Sequence, residues 1–139
     1  MAVSNSQRMV QRVPGEKTSL PMLALLAGWL VPGAGHVLVR KPIRAALLFV
    51  AIGGMYVTGL ALQGKVYSLG SGDIFDMLGF VGQLGSGILF MLTKTMGWGA
   101  AAATTTLSDY GSKFLICAGL LNLIAAVDAH SLASGRKAS

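Results

Sequence analysis

The sequence predicts an all-α integral membrane protein with four transmembrane helices arranged as antiparallel hairpins. Three observations carry this. Only 12% of the 139 residues are charged and 53% are hydrophobic, against about 25% charged in soluble domains. The mean hydropathy is +0.65. The apolar residues are also gathered into blocks of about 20, the length that crosses a bilayer core of about 30 Å as a helix. The chain divides into a polar leader (1–19), one membrane domain (20–132) and a basic tail (133–139).

The first block, Leu20 to Val39, holds no Asp, Glu, Lys or Arg, yet Pro32-Gly33-Ala34-Gly35-His36 interrupts its centre. Proline and glycine are poor helix-interior residues, so this element is expected to be kinked or re-entrant at Pro32. A signal peptide is the weaker reading, because the leader is long and no small-x-small cleavage pattern follows. Arg40-Lys41-Pro42 makes a minimal turn into the second block, Ile43 to Gln63, with Pro42 suited to a first helical turn. Gly64 to Asp73 reads as a polar turn. Ser71, Asp73 and Asp76 then offer a cap and first-turn acids to a third helix, Ile74 to Thr93. The connection Lys94 to Ser112 contains Trp98 and the low-complexity run Ala100 to Thr106, and is expected to carry a short interfacial helix. Lys113 to Leu132 is the fourth block, followed by Gly135-Arg136-Lys137.

The net charge of +6, from 11 basic and 5 acidic residues, sits at the block ends. There it orients spans and meets anionic headgroups. No basic patch with interleaved aromatics points to nucleic acid. Four spans put both termini on one side, read as cytoplasmic in a multi-pass protein of the bacterial inner membrane. Basic residues divide six to five between the sides, which gives no orienting bias, unless a re-entrant first block brings Arg40-Lys41 to the N-terminal side. Cys117 is the single cysteine, so no internal disulfide forms.

Small residues define helix-packing faces. Ala118, Gly119, Asn122, Ala125, Ala126 and Ala129 share one side of the fourth block. Gly79, Gly82, Gln83, Ser86 and Gly87 share one side of the third. Close approach through these faces is expected, with Gln83 and Asn122 hydrogen-bonded to each other at one depth because consecutive spans run antiparallel.

His36 and His130 are the candidate cofactor-binding residues. An imidazole at the break is suited to a pigment or metal, or to a carbonyl that Pro32 leaves unbonded. Asp128 is near His130 in sequence, but residues two apart on a helix diverge. Histidine and cysteine spacing carries no metal-ligand signature, and no metal site is expected. Arg40, Lys41 and Arg44 are candidates for a lipid headgroup. No catalytic arrangement emerges.

The runs Trp29-Leu30-Val31-Pro32-Gly33-Ala34-Gly35-His36 and Ala118-Gly119-Leu120-Leu121-Asn122-Leu123, with Asp128-Ala129 and Gly135-Arg136-Lys137, resemble an uncharacterised bacterial family of small four-span membrane proteins. The first hairpin is more distantly similar to the two-transmembrane-helix domain family. Val37-Leu38 stand where that domain commonly has an aromatic pair. The resemblance implies a fold and no activity. The expected role is a non-catalytic accessory subunit that stabilises or extends a larger, bioenergetic membrane complex, with other membrane subunits and lipids as partners. One alternative is a pigment-carrying subunit at the edge of a photosynthetic reaction centre, holding (bacterio)chlorophyll or lipid through His36 or His130. Another is a small oligomeric transporter or channel.

Overall fold

A computed structural model describes residues 19–70, 72–99 and 104–135. The leader through residue 18, Ser71, residues 100–103 of the low-complexity run, and Arg136 and Lys137 lie outside the described residues. So do the cap expected at Ser71 and most of the expected interfacial helix. Among the described residues all regular structure is helical. The helices are α1 (Ser19–Leu30), α2 (Ala34–Leu38), α3 (Pro42–Ala61), α4 (Ile74–Leu84), α5 (Ile88–Thr95) and α6 (Thr106–Ala133).

Among the described residues, fewer than four unbroken helices are long and apolar enough to span a membrane. α3 and α6 are long and apolar enough to cross a membrane, and the α4–α5 pair would be a third only if counted as one span despite a bend of 116°. This still makes the chain a membrane protein, with large apolar side chains such as Ile43, Val50, Val57 and Phe75 on its outer surface.

The first block breaks because Pro32 has no N–H for the helix ladder and its ring collides with the preceding turn. α1 stops after 12 residues, about 18 Å. Gly33, at φ 84°, caps the start of the five-residue α2. The chain then doubles back. A Cβ on Gly35 would lie 3.2 Å from Gly28 Cα and would strike the Ala24 carbonyl. Arg40 and Lys41 therefore finish at the end of the bundle where α1 begins, here called the terminal end.

The third block breaks at Gly85-Ser86-Gly87. Gly87 has φ 59° and ψ −118° and precedes α5, a conformation that side-chain-bearing residues rarely adopt. Here too the chain returns to the end it came from. Lys65 Nζ reaches Asp76 Oδ2 at 3.0 Å near the start of α4, and Val66 N donates to Gly99 O at 3.3 Å beyond α5. Both sites lie at the C-terminal end of α3, here called the loop end. Asp73 caps α4 as expected, its Oδ1 accepting from Phe75 N at 3.2 Å.

The fourth block starts earlier than the apolar run does. Thr105 Oγ1 accepts from Ser108 N at 3.3 Å, Asp109 occupies the first turn, and α6 extends to 28 residues. It runs from the loop end to the terminal end and every longer helix packs on it. α3 is antiparallel to it, with a Cβ on Gly59 falling 2.8 Å from Leu115 Cγ. α1 is antiparallel too, with a Cβ on Gly28 falling 3.2 Å from Ala126 Cα. α4 is parallel, Gly82 meeting Ile116 and Gly85 meeting the Gly119 carbonyl. Ile52, Tyr56, Phe90 and Leu115 form the centre of the core, and Phe80 and Phe90 pack edge to face at 5.5 Å.

The two halves share a plan. Each has a helix ending at a leucine (Leu30, Leu84), with glycine two residues earlier (Gly28, Gly82). Each then has a three-residue break ending in a positive-φ glycine (Gly33, Gly87). A short return helix with a basic residue at or just past its end (Lys94, Arg40) and a long span follow in both. The halves start from opposite ends of the bundle.

Glycine contacts on α6 are tight enough to test. Gly119→Ala pushes a methyl into the Gly82 carbonyl and towards Ser86 Oγ at 3.1 Å. Unfolding measured in detergent is expected to show a loss of about 1–3 kcal/mol. Gly53→Ala, where a Cβ meets nothing within 4 Å, is expected to stay within about 1 kcal/mol of the parent, on the stabilising side.

Candidate functional site

The tips of the two broken segments meet against Asn122. Helix ends leave backbone carbonyls without partners, and a hydrocarbon environment supplies none. The buried Asn122 amide resolves this for both breaks. Its Nδ2 donates to Trp29 O at 2.8 Å and to Gly85 O at 2.8 Å. Trp29 Nε1 donates in turn to Leu84 O at 3.2 Å, and Gly87 sits where a Cβ would strike the Trp29 carbonyl. The register of α3 on α6 puts Asn122 level with the middle of α3.

The expected Gln83–Asn122 hydrogen bond does not form. α4 and α6 rise together, because α5 rather than α4 makes the return, so Gln83 stops more than a turn short of Asn122. Gln83 serves a different backbone. Its Oε1 accepts from Tyr67 N at 2.9 Å and its Nε2 donates to Lys65 O at 2.8 Å. One amide thus pins the extended stretch after α3. The packing faces are otherwise divided. Gly82, Ser86 and Gly119 join α4 to α6, Gly79 packs on the Tyr67 ring, and Ala126 packs on Gly28 of α1. Two buried oxygens at the junction, Ser86 Oγ and Asn122 Oδ1, have no hydrogen-bond partner among the described residues.

His36 lies nearer the terminal end. It is 2% exposed, and its Nε2 is 3.1 Å from Asp128 Oδ2, whose side chain is 26% exposed. α2 supplies the imidazole and α6 the carboxylate, brought together because Gly35 lets α2 lie against Ala129. An Nε2–H here donates to the Asp128 carboxylate. The pair fixes the ring's orientation. His130 is half-buried one turn from the end of α6 and does not join this pair. Among the described residues no group of three or more His, Cys, Asp or Glu side chains forms a metal site. Cys117 is exposed on the surface.

Sequence reading missed the partnership of His36 and Asp128, 92 residues apart. Asp128 is the one acid within the fourth block, and a lone intramembrane acid calls for a partner. That signal was present. The donor role of Trp29 had no such signal.

The three headgroup candidates are brought together. Arg40, Lys41 and Arg44, with Pro42 and Ile43, line a recess of about 330 Å³ at the terminal end.

Residues 23–138 match a family described as a family of unknown function, DUF6677. No curated protein and no solved structure matches the chain.

Asn122→Leu strips donors from two carbonyls, and Gln83→Leu strips the Lys65–Tyr67 backbone. Each is expected to lower stability by about 1–4 kcal/mol, at about 0.6–2 per bond lost. Since the two amides share no partner, a double-mutant cycle by unfolding in detergent is expected to show additivity within about 0.5 kcal/mol.

Proposed function

The chain belongs to DUF6677, a family of unknown function, and we propose that it is a non-catalytic membrane subunit that packs laterally into a larger assembly. The observation that carries this reading is how the interior polar groups are used. The Asn122 N–H groups, Gln83, Tyr56 and Thr93 are spent on the molecule's own backbone or on each other, while Ser86 Oγ and Asn122 Oδ1 meet no partner among the described residues. His36 and Asp128 hold α2 to α6. Side chains used this way build a scaffold, while the apolar outer surface offers area to neighbouring helices and lipid. A bioenergetic complex of the bacterial inner membrane is the setting proposed.

A second reading, a small oligomeric transporter or channel, is favoured by one observation. Two broken segments entering from opposite ends and meeting at mid-depth are the plan of inverted-repeat transporters. In this reading the broken segments are re-entrant hairpins, and α3 and α6 are the spans.

The same topology supports an orientation. α1 begins and α6 ends at the terminal end, which also carries Arg40, Lys41 and Arg44, and the sequence before α1 and after α6 is rich in basic residues. Lys65, Lys94 and Lys113 stand at the loop end. Under the positive-inside rule the terminal end faces the cytoplasm. A C-terminal fluorescent-protein fusion is expected to fluoresce, and a C-terminal alkaline phosphatase fusion to stay silent.

Mild-detergent purification from native membranes tests the subunit reading. A stoichiometric, reproducible set of membrane partners is expected. A lone homo-oligomer that passes a solute in proteoliposomes would replace it with the second reading.

A further inference from the structure

We propose that the terminal end holds one anionic phospholipid, with its phosphate in the Arg40–Lys41–Arg44 recess and an acyl chain in the apolar groove that adjoins it. Lipid recognition needs a cationic pocket at headgroup level and an apolar channel leading inward. Both are present and share Pro42.

The recess, of about 330 Å³, lies at the turn from α2 into α3 and is lined by the consecutive residues Arg40 to Arg44, three of them cationic. No acidic residue lines it. The described ion pairs, His36–Asp128 and Lys65–Asp76, use none of these three cations. The first turn of α3 contains no acid, and no side chain caps it, so the helix dipole adds to the positive field. Such a site favours a phosphate oxygen over a neutral group.

From Pro42 a groove of about 360 Å³ runs inward between the broken segment and α3. Val31, Pro32 and Val37 wall one side, and Ala45, Ala46 and Phe49 the other. Pro42 to Phe49 covers about 10 Å along α3, from headgroup level towards mid-depth. The small side chains of Ala45 and Ala46 leave room that a bulkier pair would fill. The groove opens on the outer surface, where acyl chains are the surrounding medium. The anionic cytoplasmic leaflet would supply such a lipid if the terminal end faces inward, but the site itself does not depend on that orientation.

The test is native mass spectrometry of the full-length protein. It is delipidated and then titrated with phosphatidylglycerol, with phosphatidylcholine of the same acyl chains, or with inorganic phosphate. One retained phosphatidylglycerol is expected, preferred over phosphatidylcholine. The charge-neutral variant R40Q/K41Q/R44Q is expected to lower that affinity on the order of 10- to 100-fold, with helicity and melting temperature unchanged. Ala46→Trp, which fills the groove and leaves the cations, is expected to lower it as well, while Lys113→Gln at the other end has no effect. Should the triple variant fail to fold, R44Q alone is read against Lys113→Gln. Equal retention of the two lipids, or undiminished phosphatidylglycerol binding by the charge variant, would overturn the proposal. Inorganic phosphate that displaces the lipid completely, with Ala46→Trp silent, would overturn the acyl-chain half and leave a free-anion site.

Discussion

The structure depends on the rule that a broken helix inside a membrane must find partners for its freed backbone groups. Two segments break, at Pro32 and at Gly85-Ser86-Gly87, and each leaves a carbonyl facing the middle of the bundle. Asn122 donates one N–H to each. The side chain is short and its amide has two donors, so a single residue closes both helix ends. Only a helix that passes between the tips can present it, and α6 does so because its small residues admit both. Gly119 lets α4 approach on one side and Ala126 lets α1 approach on the other.

From that junction the rest follows by geometry. Because the tips must meet, α1 and α4 come in from opposite ends, one antiparallel and one parallel to α6. The return helices differ in what holds them. α2 is short and is tied to α6 through His36 and Asp128. α5 is longer and is tied to α3 through Thr93 Oγ1 and Tyr56 Oη at 2.8 Å. The hydroxyl of Thr93 also contacts the Leu89 and Phe90 carbonyls, so neither polar group is left bare in the core. Gln83 does for the extended stretch after α3 what Asn122 does for the breaks. Intramembrane amides here act as surrogate backbone.

Much of this was legible in the sequence. The apolar blocks contain most of each described helix, and Pro32 marked the first break. The second break was harder to read. Gly85 and Gly87 sit in a run where glycine also serves as a packing residue, and a glycine that permits close approach looks the same in sequence as one that takes a positive φ. That ambiguity propagated. A continuous third helix would run antiparallel to α6 and bring Gln83 level with Asn122. The actual α4 runs parallel and does not. The polar start of α6, from Thr106 to Ser112, carried no apolar signal, and its helix is set by the Thr105 cap. His36 and Asp128 were each visible, but their pairing needs the reversal at Pro32, which local pattern does not encode.

Each broken segment turns back towards the end of the bundle it came from. Single cysteines at Ser19, Lys41, Asp73 and Trp98, each in a Cys117→Ser background, can be labelled with a membrane-impermeant maleimide in sealed vesicles of known orientation. Ser19→Cys and Lys41→Cys are expected to label from one side and Asp73→Cys and Trp98→Cys from the other. Labelling of Ser19→Cys and Lys41→Cys from opposite sides, or of Asp73→Cys and Trp98→Cys from opposite sides, would contradict this arrangement.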